Sequence, residues 1–310
     1  MHTILGANGV IARELSQSLA AYTSYIRQVS RNPRRVNAAD ETRVADLLDS
    51  QATDSAVAGS EVVYLVAGLK YSAAVWQDQW PRVMRNAIDA CKRHGAKLVF
   101  FDNVYAYGRV EGIMTEDTPF NPISEKGEVR AKIATMLLDE MRGGNLQAMI
   151  VRAADFYGPG AVQSLPHAVV FERLRAGKAP QWIGNPNATH TFTFTPDAGH
   201  ALAALARSAE AYGQTWHLPT TKEPLTGADF ARLACELAGQ PNKLQVVPHW
   251  ILRLMGIFIP VLRENEEMMY QLEYDYRFDS SKIESAFGLQ PTPYRQGIGK
   301  TLGLWPQDRA

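Results

Sequence analysis

Disulfide and metal chemistry have little to work with in this sequence. It holds two cysteines in 310 residues, Cys91 and Cys235, each inside an apolar helical pattern, which reads as reduced core thiols rather than a disulfide framework or a metal site. Net charge is missing as well. Lysine plus arginine and aspartate plus glutamate number 32 each, so no global field draws the chain to nucleic acid or to an anionic membrane, and a small-molecule partner is expected instead. Long apolar runs are also lacking. The most apolar stretch, residues 250–262, is interrupted by Arg253, Gly256 and Pro260 and falls short of the ~20 residues a spanning helix needs, so it reads as a buried or partner-facing helix. No basic region and apolar tract precede the first strand, which leaves no room for a signal peptide and predicts a cytoplasmic protein. Repeats, low-complexity tracts and long linkers are absent too.

What the sequence has is alternation. Short apolar runs at 2–5, 24–29, 61–66, 97–101, 147–151 and 215–218 alternate with helical patterns, which predicts an α/β fold with parallel strands and crossover helices, a doubly wound Rossmann-type sheet. Ile11, Leu15 and Leu19 share one face of a helix over 10–20. Trp76, Trp80, Val83, Met84, Ala87 and Cys91 recur at helical spacing, and core packing explains the tryptophans. Gly95 is expected to close that helix in the left-handed conformation. Pro196 suits the first turn of an alanine-rich helix, and Thr226 caps another whose Phe230, Leu233 and Leu237 form a stripe. After Tyr157 the order loosens, with loops at 158–164 and 184–188. The predicted division is a dinucleotide-binding domain over 1–160 and 191–220 and a smaller, discontinuous substrate lobe over 161–190 and 221–310.

The decisive segment is Ile4-Leu5-Gly6-Ala7-Asn8-Gly9-Val10-Ile11-Ala12, a glycine-rich turn between the first strand and the first helix. Gly6 permits the tight turn, Gly9 lets the backbone approach a pyrophosphate, and small Ala12 lets the helix pack closely, while Asn8, Gly9, Val10 and Ile11 lie where free amides meet the anion. Asn8-Gly9 also suits a hairpin turn, but a helix pattern follows it rather than a second strand. The second strand ends Gln28-Val29-Ser30-Arg31-Asn32 and offers no carboxylate to an adenosine ribose. Ser30 and Arg31 supply a hydroxyl and a guanidinium that suit a 2′-phosphate, so NADP(H) is expected over NAD(H); a solvated surface arginine beside Arg34 and Arg35 is the alternative.

With these residues in hand, the chain resembles the short-chain dehydrogenase/reductase superfamily in its extended, epimerase/dehydratase-like form, over nearly its whole length. Further matching pieces are Asp46-Leu47, similar to the pair beside the adenine; Val66-Ala67-Gly68 after the fourth strand; and Val99-Phe100-Phe101-Asp102-Asn103 leading to Tyr107-Gly108. Val151-Arg152 through Phe156-Tyr157-Gly158-Pro159, Thr195-Pro196-Asp197, and Asp279-Ser280-Ser281-Lys282 with Gly288 match later landmarks. The resemblance implies NAD(P) binding more firmly than it implies any reaction.

The family's chemistry uses a Tyr-x-x-x-Lys pair and an upstream Ser or Thr to exchange a proton with a substrate hydroxyl while hydride moves to or from nicotinamide. This sequence departs there. Asn103 takes the Ser position; its amide can donate to a carbonyl or face the cofactor but cannot relay a hydroxyl proton. The segment 122–132 has no tyrosine. Matching the family's Pro and Gly puts Lys126 and Arg130 on the pair, the preferred register; matching the spacing puts Glu128 and Lys132 there. In either register one face of a helix carries both side chains, and an exposed charged face is the alternative reading. Tyr71, Tyr105 and Tyr107 are candidate substitute acids, each also explained by packing.

On the substrate side, the resemblance puts Asp155 where epimerases hold a diphosphate with Asn, and His190 where they use Arg; a third Arg position falls near Met268 or Met269. A carboxylate facing a diphosphate repels it, which disfavours a nucleotide-sugar, and a smaller carbonyl or hydroxyl compound is expected, touching Tyr107, Asp155 and His190. Met255, Phe258, Met268, Met269 and Tyr270 would give the second lobe an adaptable apolar wall, with plain core packing the equal alternative. The resemblance also suggests a homodimer through the helices at 76–91 and 129–141. The leading expectation is an NADP(H)-dependent oxidoreductase or epimerase/dehydratase-like enzyme. A non-catalytic NADP(H) sensor that regulates a partner protein is the rival, and epimerisation with Glu128 as base is a third reading.

Overall fold

In the computed structural model, which describes residues 1–223, 225–256 and 260–305, the alternation resolves into a seven-stranded parallel sheet. Its strands are β1 (His2–Leu5), β2 (Ile26–Ser30), β3 (Glu41–Val44), β4 (Val62–Leu65), β5 (Lys97–Asp102), β7 (Ala148–Arg152) and β11 (Thr215–His217). Shorter parallel pairs lie outside it: β6 (Ile113–Met114) with β13 (Arg277–Phe278), β8 (Asp155–Tyr157) with β10 (Phe192–Phe194), and β9 (Gln181–Ile183) with β12 (Gln245–Val247). The spatial order is β11-β7-β5-β4-β1-β2-β3. The order therefore reverses between β1 and β4, and the crevice of a doubly wound sheet opens there, at the carboxyl ends of the strands. Each of the six predicted runs became a strand. β3 went unread because Glu41, Thr42 and Val44 are exposed and no apolar period marks this edge strand.

The helices are α1 (Val10–Leu19), α2 (Ser50–Val57), α3 (Ala73–His94), α4 (Glu125–Arg142), α5 (Glu172–Arg175), α6 (Thr195–Ala206), α7 (Gly227–Leu237), α8 (His249–Gly256), α9 (Pro260–Glu266), α10 (Tyr270–Glu273), α11 (Ser281–Phe287) and α12 (Tyr294–Leu302). Alternate residues of each strand face opposite layers. Val63, Leu65, Leu98, Phe100 and Ile150 pack under α2, α3 and α4, while Ile4, Val62, Tyr64, Val99 and Met149 pack under α1 and α6. Trp76 and Trp80 belong to the first of these cores. Gly95 closes α3 at φ +63°, and Thr226 caps α7 in a full capping box with Asp229. Cys91 and Cys235 are free, buried thiols.

A separate core joins Phe171, Trp182, Phe192 and Phe230 with Tyr157, Tyr294 and Ile298. The stretch 221–310 does not stay with it. Ile283 and Phe287 of α11 return to the α1/α6 side of the sheet, and Lys282 Nζ donates to Thr215 O at 2.9 Å. The apolar stretch 250–262 is split between α8 and α9, and Trp250 and Leu254 are exposed rather than buried. Met268 and Met269 are buried; Phe258 and the Met255 side chain lie outside the described residues. No helix among the described residues is long and apolar enough to cross a membrane.

Candidate functional site

The turn after β1 is shaped by steric necessity. Gly6 has φ +102°, and a Cβ on it would stand 2.3 Å from Ala67 Cα, so any side chain there would displace the loop that follows β4. Asn8 also takes a positive φ, +80°, and its side chain locks the turn to the end of β2. Its Nδ2 donates to Asn32 O at 2.7 Å and reaches Ser30 Oγ at 3.4 Å, while its Oδ1 accepts from Arg34 N at 3.0 Å. Gly9 caps α1 without a side-chain bond, and a Cβ there would meet nothing nearer than Gly6 O at 3.7 Å. Among the described residues no side chain caps the first amides of α1, around Val10 and Ile11, which is the geometry that accepts a phosphate.

The rest of the dinucleotide trough follows the sheet order. Ala45 N donates to Ser30 O at 3.0 Å, which brings Asp46 and Leu47 alongside Ser30 and Arg31. Arg31, Arg34 and Arg35 are exposed, and no ion pair engages them among the described residues. On the other side of β1, Val66 N donates to Leu5 O at 3.0 Å and carries Ala67 and exposed Gly68 to the crevice. The residues present therefore fit a nicotinamide dinucleotide.

Beyond Gly68 lie Tyr71, Tyr105, Asn103 and Lys126, linked by pairwise contacts. Tyr71 and Tyr105 meet hydroxyl to hydroxyl at 3.5 Å. Asn103 Oδ1 accepts from Tyr105 N at 3.0 Å, so its carbonyl serves the local turn. Ser124 caps α4, and Gly127 lets this helix press on the Tyr105 loop, because a Cβ at Gly127 would stand 2.7 Å from Tyr105 O. That approach brings Lys126 Nζ over Tyr71, 4.7 Å from the ring centroid. Glu128 and Lys132 are exposed on the opposite face, so Lys132 does not reach the site.

Lys126 is fully buried and its donors are all engaged. It bonds Glu264 O at 2.8 Å, Glu264 Oε2 at 2.9 Å and Glu267 Oε1 at 2.7 Å. Partial burial pushes the Glu264 carboxyl up, but the bonds from Lys126 and Ala73 N outweigh it and hold it below the ordinary range. Burial pushes the Tyr71 phenol up to about 12 and Tyr105 well above its ordinary value, which makes both poor proton donors at neutral pH. Sequence reading missed Glu264 and Glu267; an acidic pair in a poorly patterned segment carries no signal of its own.

Two further expectations are corrected. Arg130 does not face a nicotinamide ribose: it is buried on Asp102, with Nε 2.8 Å from Oδ1, and stacks 4.6 Å from the Trp80 ring centroid. Tyr107 does not line the cleft. It is buried in a chain that starts at Asp102 Oδ2, continues through Arg152 and ends at His217. Burial drives the His217 imidazole down to about 3, so the ring is neutral; its Nδ1 donates to Asp279 O at 2.8 Å, and Nε2 accepts from Tyr107 at 2.8 Å. Asp155 and His190 do come together, with Nε2 3.0 Å from Oδ2, and His190 stacks on Tyr276 with centroids 4.5 Å apart.

Comparison with known proteins places this geometry. The profile of the NAD dependent epimerase/dehydratase family matches residues 2–218. A 3-diazoavenalumate denitrifying reductase from a Streptomyces species is 25% identical over 96% of this chain and 98% of its own length. Two solved structures share the fold at low identity. The dTDP-glucose 4,6-dehydratase of Streptomyces venezuelae, solved with NAD bound, superposes with a TM-score of 0.80 at 16% identity, covering 98% of this chain and 96% of its own. The UDP-glucose 4-epimerase of Thermus thermophilus, in complex with NAD, gives 0.78 at 19% identity, covering 98% of each chain. With the glycine turn, the β1/β4 crevice and the sheet order already in place, the chain belongs to the NAD-dependent epimerase/dehydratase family.

Proposed function

We propose that this chain is an NADP(H)-dependent reductase of a small, non-nucleotide acceptor whose reduction needs no phenolic proton donor, with diazo-bearing arenes the leading class. The observation that carries this reading is a contrast within one crevice. The glycine turn leaves the start of α1 without a side-chain cap, whereas Lys126, which the preferred register sets at the family's tyrosine, has its three protons all bound to acceptors. Bound cofactor would supply a hydride; the chain would orient the acceptor and exclude water.

Carbonyl reduction requires a proton on oxygen as hydride arrives, and neither Tyr71 nor Tyr105 is suited to give one. Reduction of an arenediazonium does not. Hydride forms an N–H bond at the terminal nitrogen, the C–N bond then breaks, and that hydrogen passes to carbon: ArN2+ plus hydride gives ArH plus N2, balanced without an added proton. The curated relative is named for such a denitrifying reduction. The sugar nucleotides of the structural neighbours fit less well, since Asp155 beside His190 puts a carboxylate where the resemblance places a diphosphate. The 2′-phosphate of NADP(H) would be met by Ser30, Arg31 and the free arginines beside them.

The test is enzyme-dependent NADPH oxidation with 4-hydroxybenzenediazonium, with phenol and N2 quantified, beside ketones and UDP-sugars. Turnover confined to the diazonium is expected. Micromolar NADPH binding with no oxidation by any acceptor sinks the reductase reading in favour of a non-catalytic NADP(H) sensor.

A further inference from the structure

The hydroxyl of Ser30, at the carboxyl end of β2, has its acceptor capacity spent inside the protein. Asn32 N donates to its Oγ at 3.2 Å, and Asn8 Nδ2 reaches the same atom at 3.4 Å. Among the described residues these are the hydrogen bonds of Ser30 Oγ, and in both it accepts. A serine oxygen carries two lone pairs and one proton. With an N–H aimed at each lone pair, this hydroxyl meets a ligand as a donor.

Asn8 dictates that polarity. Its side chain meets two backbone groups of opposite sense: Oδ1 accepts from Arg34 N at 3.0 Å, and Nδ2 donates to Asn32 O at 2.7 Å. Turning the amide over would set oxygen against oxygen and N–H against N–H, so its orientation is fixed and the second Nδ2 proton faces Ser30 Oγ. The two cofactor forms differ in what they ask of that serine. NADP(H) brings a 2′-phosphate, a set of acceptor oxygens, whereas NAD(H) brings a 2′-hydroxyl whose proton a carboxylate usually accepts. A serine held as a donor makes a charge-assisted bond to the phosphate and leaves the hydroxyl proton without an acceptor.

We propose that Asn8 is a positioning residue for cofactor choice: its amide holds the Ser30 hydroxyl as a donor and thereby sets a preference for NADP(H) over NAD(H). The proposal rests on the NADP(H) part of the proposed function. It adds to that reading a residue that acts through another side chain rather than through the charge of Arg31.

The experiment titrates the full chain by calorimetry with NADPH and NADH, and with 2′,5′-ADP and 5′-AMP, which carry the same difference without the nicotinamide. Asn8→Gly removes the amide while suiting the positive φ of +80° at this exposed position. It should weaken NADPH and 2′,5′-ADP about tenfold and leave NADH and 5′-AMP within about twofold. Ser30→Ala should do the same. The double variant should lose no more than about twofold beyond the worse single variant, because the two side chains act as one unit. Damage to the glycine turn itself would weaken all four ligands alike. That outcome, an NADPH-to-NADH ratio unmoved by Asn8→Gly, or full additivity in the double variant overturns the proposal and leaves the NADP(H) preference standing. A wild type that binds both cofactors equally overturns the two together. A ratio that collapses as expected in a protein that oxidises no NADPH supports the role of Asn8 and sinks the reductase reading alone.

Discussion

The ammonium of Lys126 stands 2.7 Å from Oε1 of Glu267, and the other oxygen of that carboxylate accepts from Glu125 N at 2.6 Å. Glu264 repeats the arrangement, bonding Lys126 and accepting from Ala73 N at 2.8 Å. One lysine and two glutamates thereby hold α9 and the residue after it against the first turns of α3 and α4, where a carboxylate is favoured by the exposed amides. Lys126 fastens these elements together.

Lys126→Met leaves both carboxylates in place without their cation. Amide exchange at Ala73 and Glu125 should rise at least tenfold, about 1.4 kcal/mol of local stability. Lys126→Tyr should not create ketone reductase activity, because Arg130, four residues on, stays bound to Asp102. Protection unchanged in the first variant, or ketone turnover in the second, contradicts the fastening role.

Asp102 is wholly buried between Arg130 and Arg152. Asp102→Asn removes the one charge that offsets two buried guanidinium groups and should cost about 3–5 kcal/mol in denaturant unfolding. A loss below 1 kcal/mol, on the order expected of a surface pair, would show that water already reaches this cluster.

The neutral His217 makes stability depend on pH. The unfolded ring takes a proton below its ordinary value of 6.5, whereas the folded ring does so only near 3. Between those values the unfolded state binds more protons, so stability falls as pH falls, by up to about 1.4 kcal/mol per unit. His217→Gln keeps a donor and an acceptor but does not titrate. Urea unfolding between about pH 6 and 4 should show a shallower slope in the variant; equal slopes would refute the account.

Arg31 lies exposed at the end of β2, beside the Ser30 hydroxyl. Arg31→Ala should weaken NADPH binding about tenfold or more, the value of a lost charge-assisted contact to phosphate, and leave NADH within about twofold. If titration shows both cofactors weakened equally, the 2′-phosphate assignment is wrong.

The parts of this protein that follow from local rules were legible in its sequence. The alternation of apolar runs gave the parallel sheet, because period-two and helical spacings decide which residues face a layer. Gly6 and Gly9 marked the turn, since backbone geometry restricts which residues fit there. Gly127 is where α4 meets the Tyr105 loop, since a Cβ there would stand 2.7 Å from Tyr105 O. β3 was lost because its edge position leaves no apolar pattern to read.

The roles of the charged residues were decided only by the fold. Lys126, Arg130 and Lys132 look alike as letters on one helix, yet one faces Glu264 and Glu267, one faces Asp102 and one faces solvent. Sequence by itself determined that a dinucleotide trough would exist, because it is built from backbone conformation encoded within a few neighbouring residues. Tertiary structure alone determined what surrounds it, because the strength of a charge depends on burial and on partners, and those partners arrive from 138 and 141 residues away.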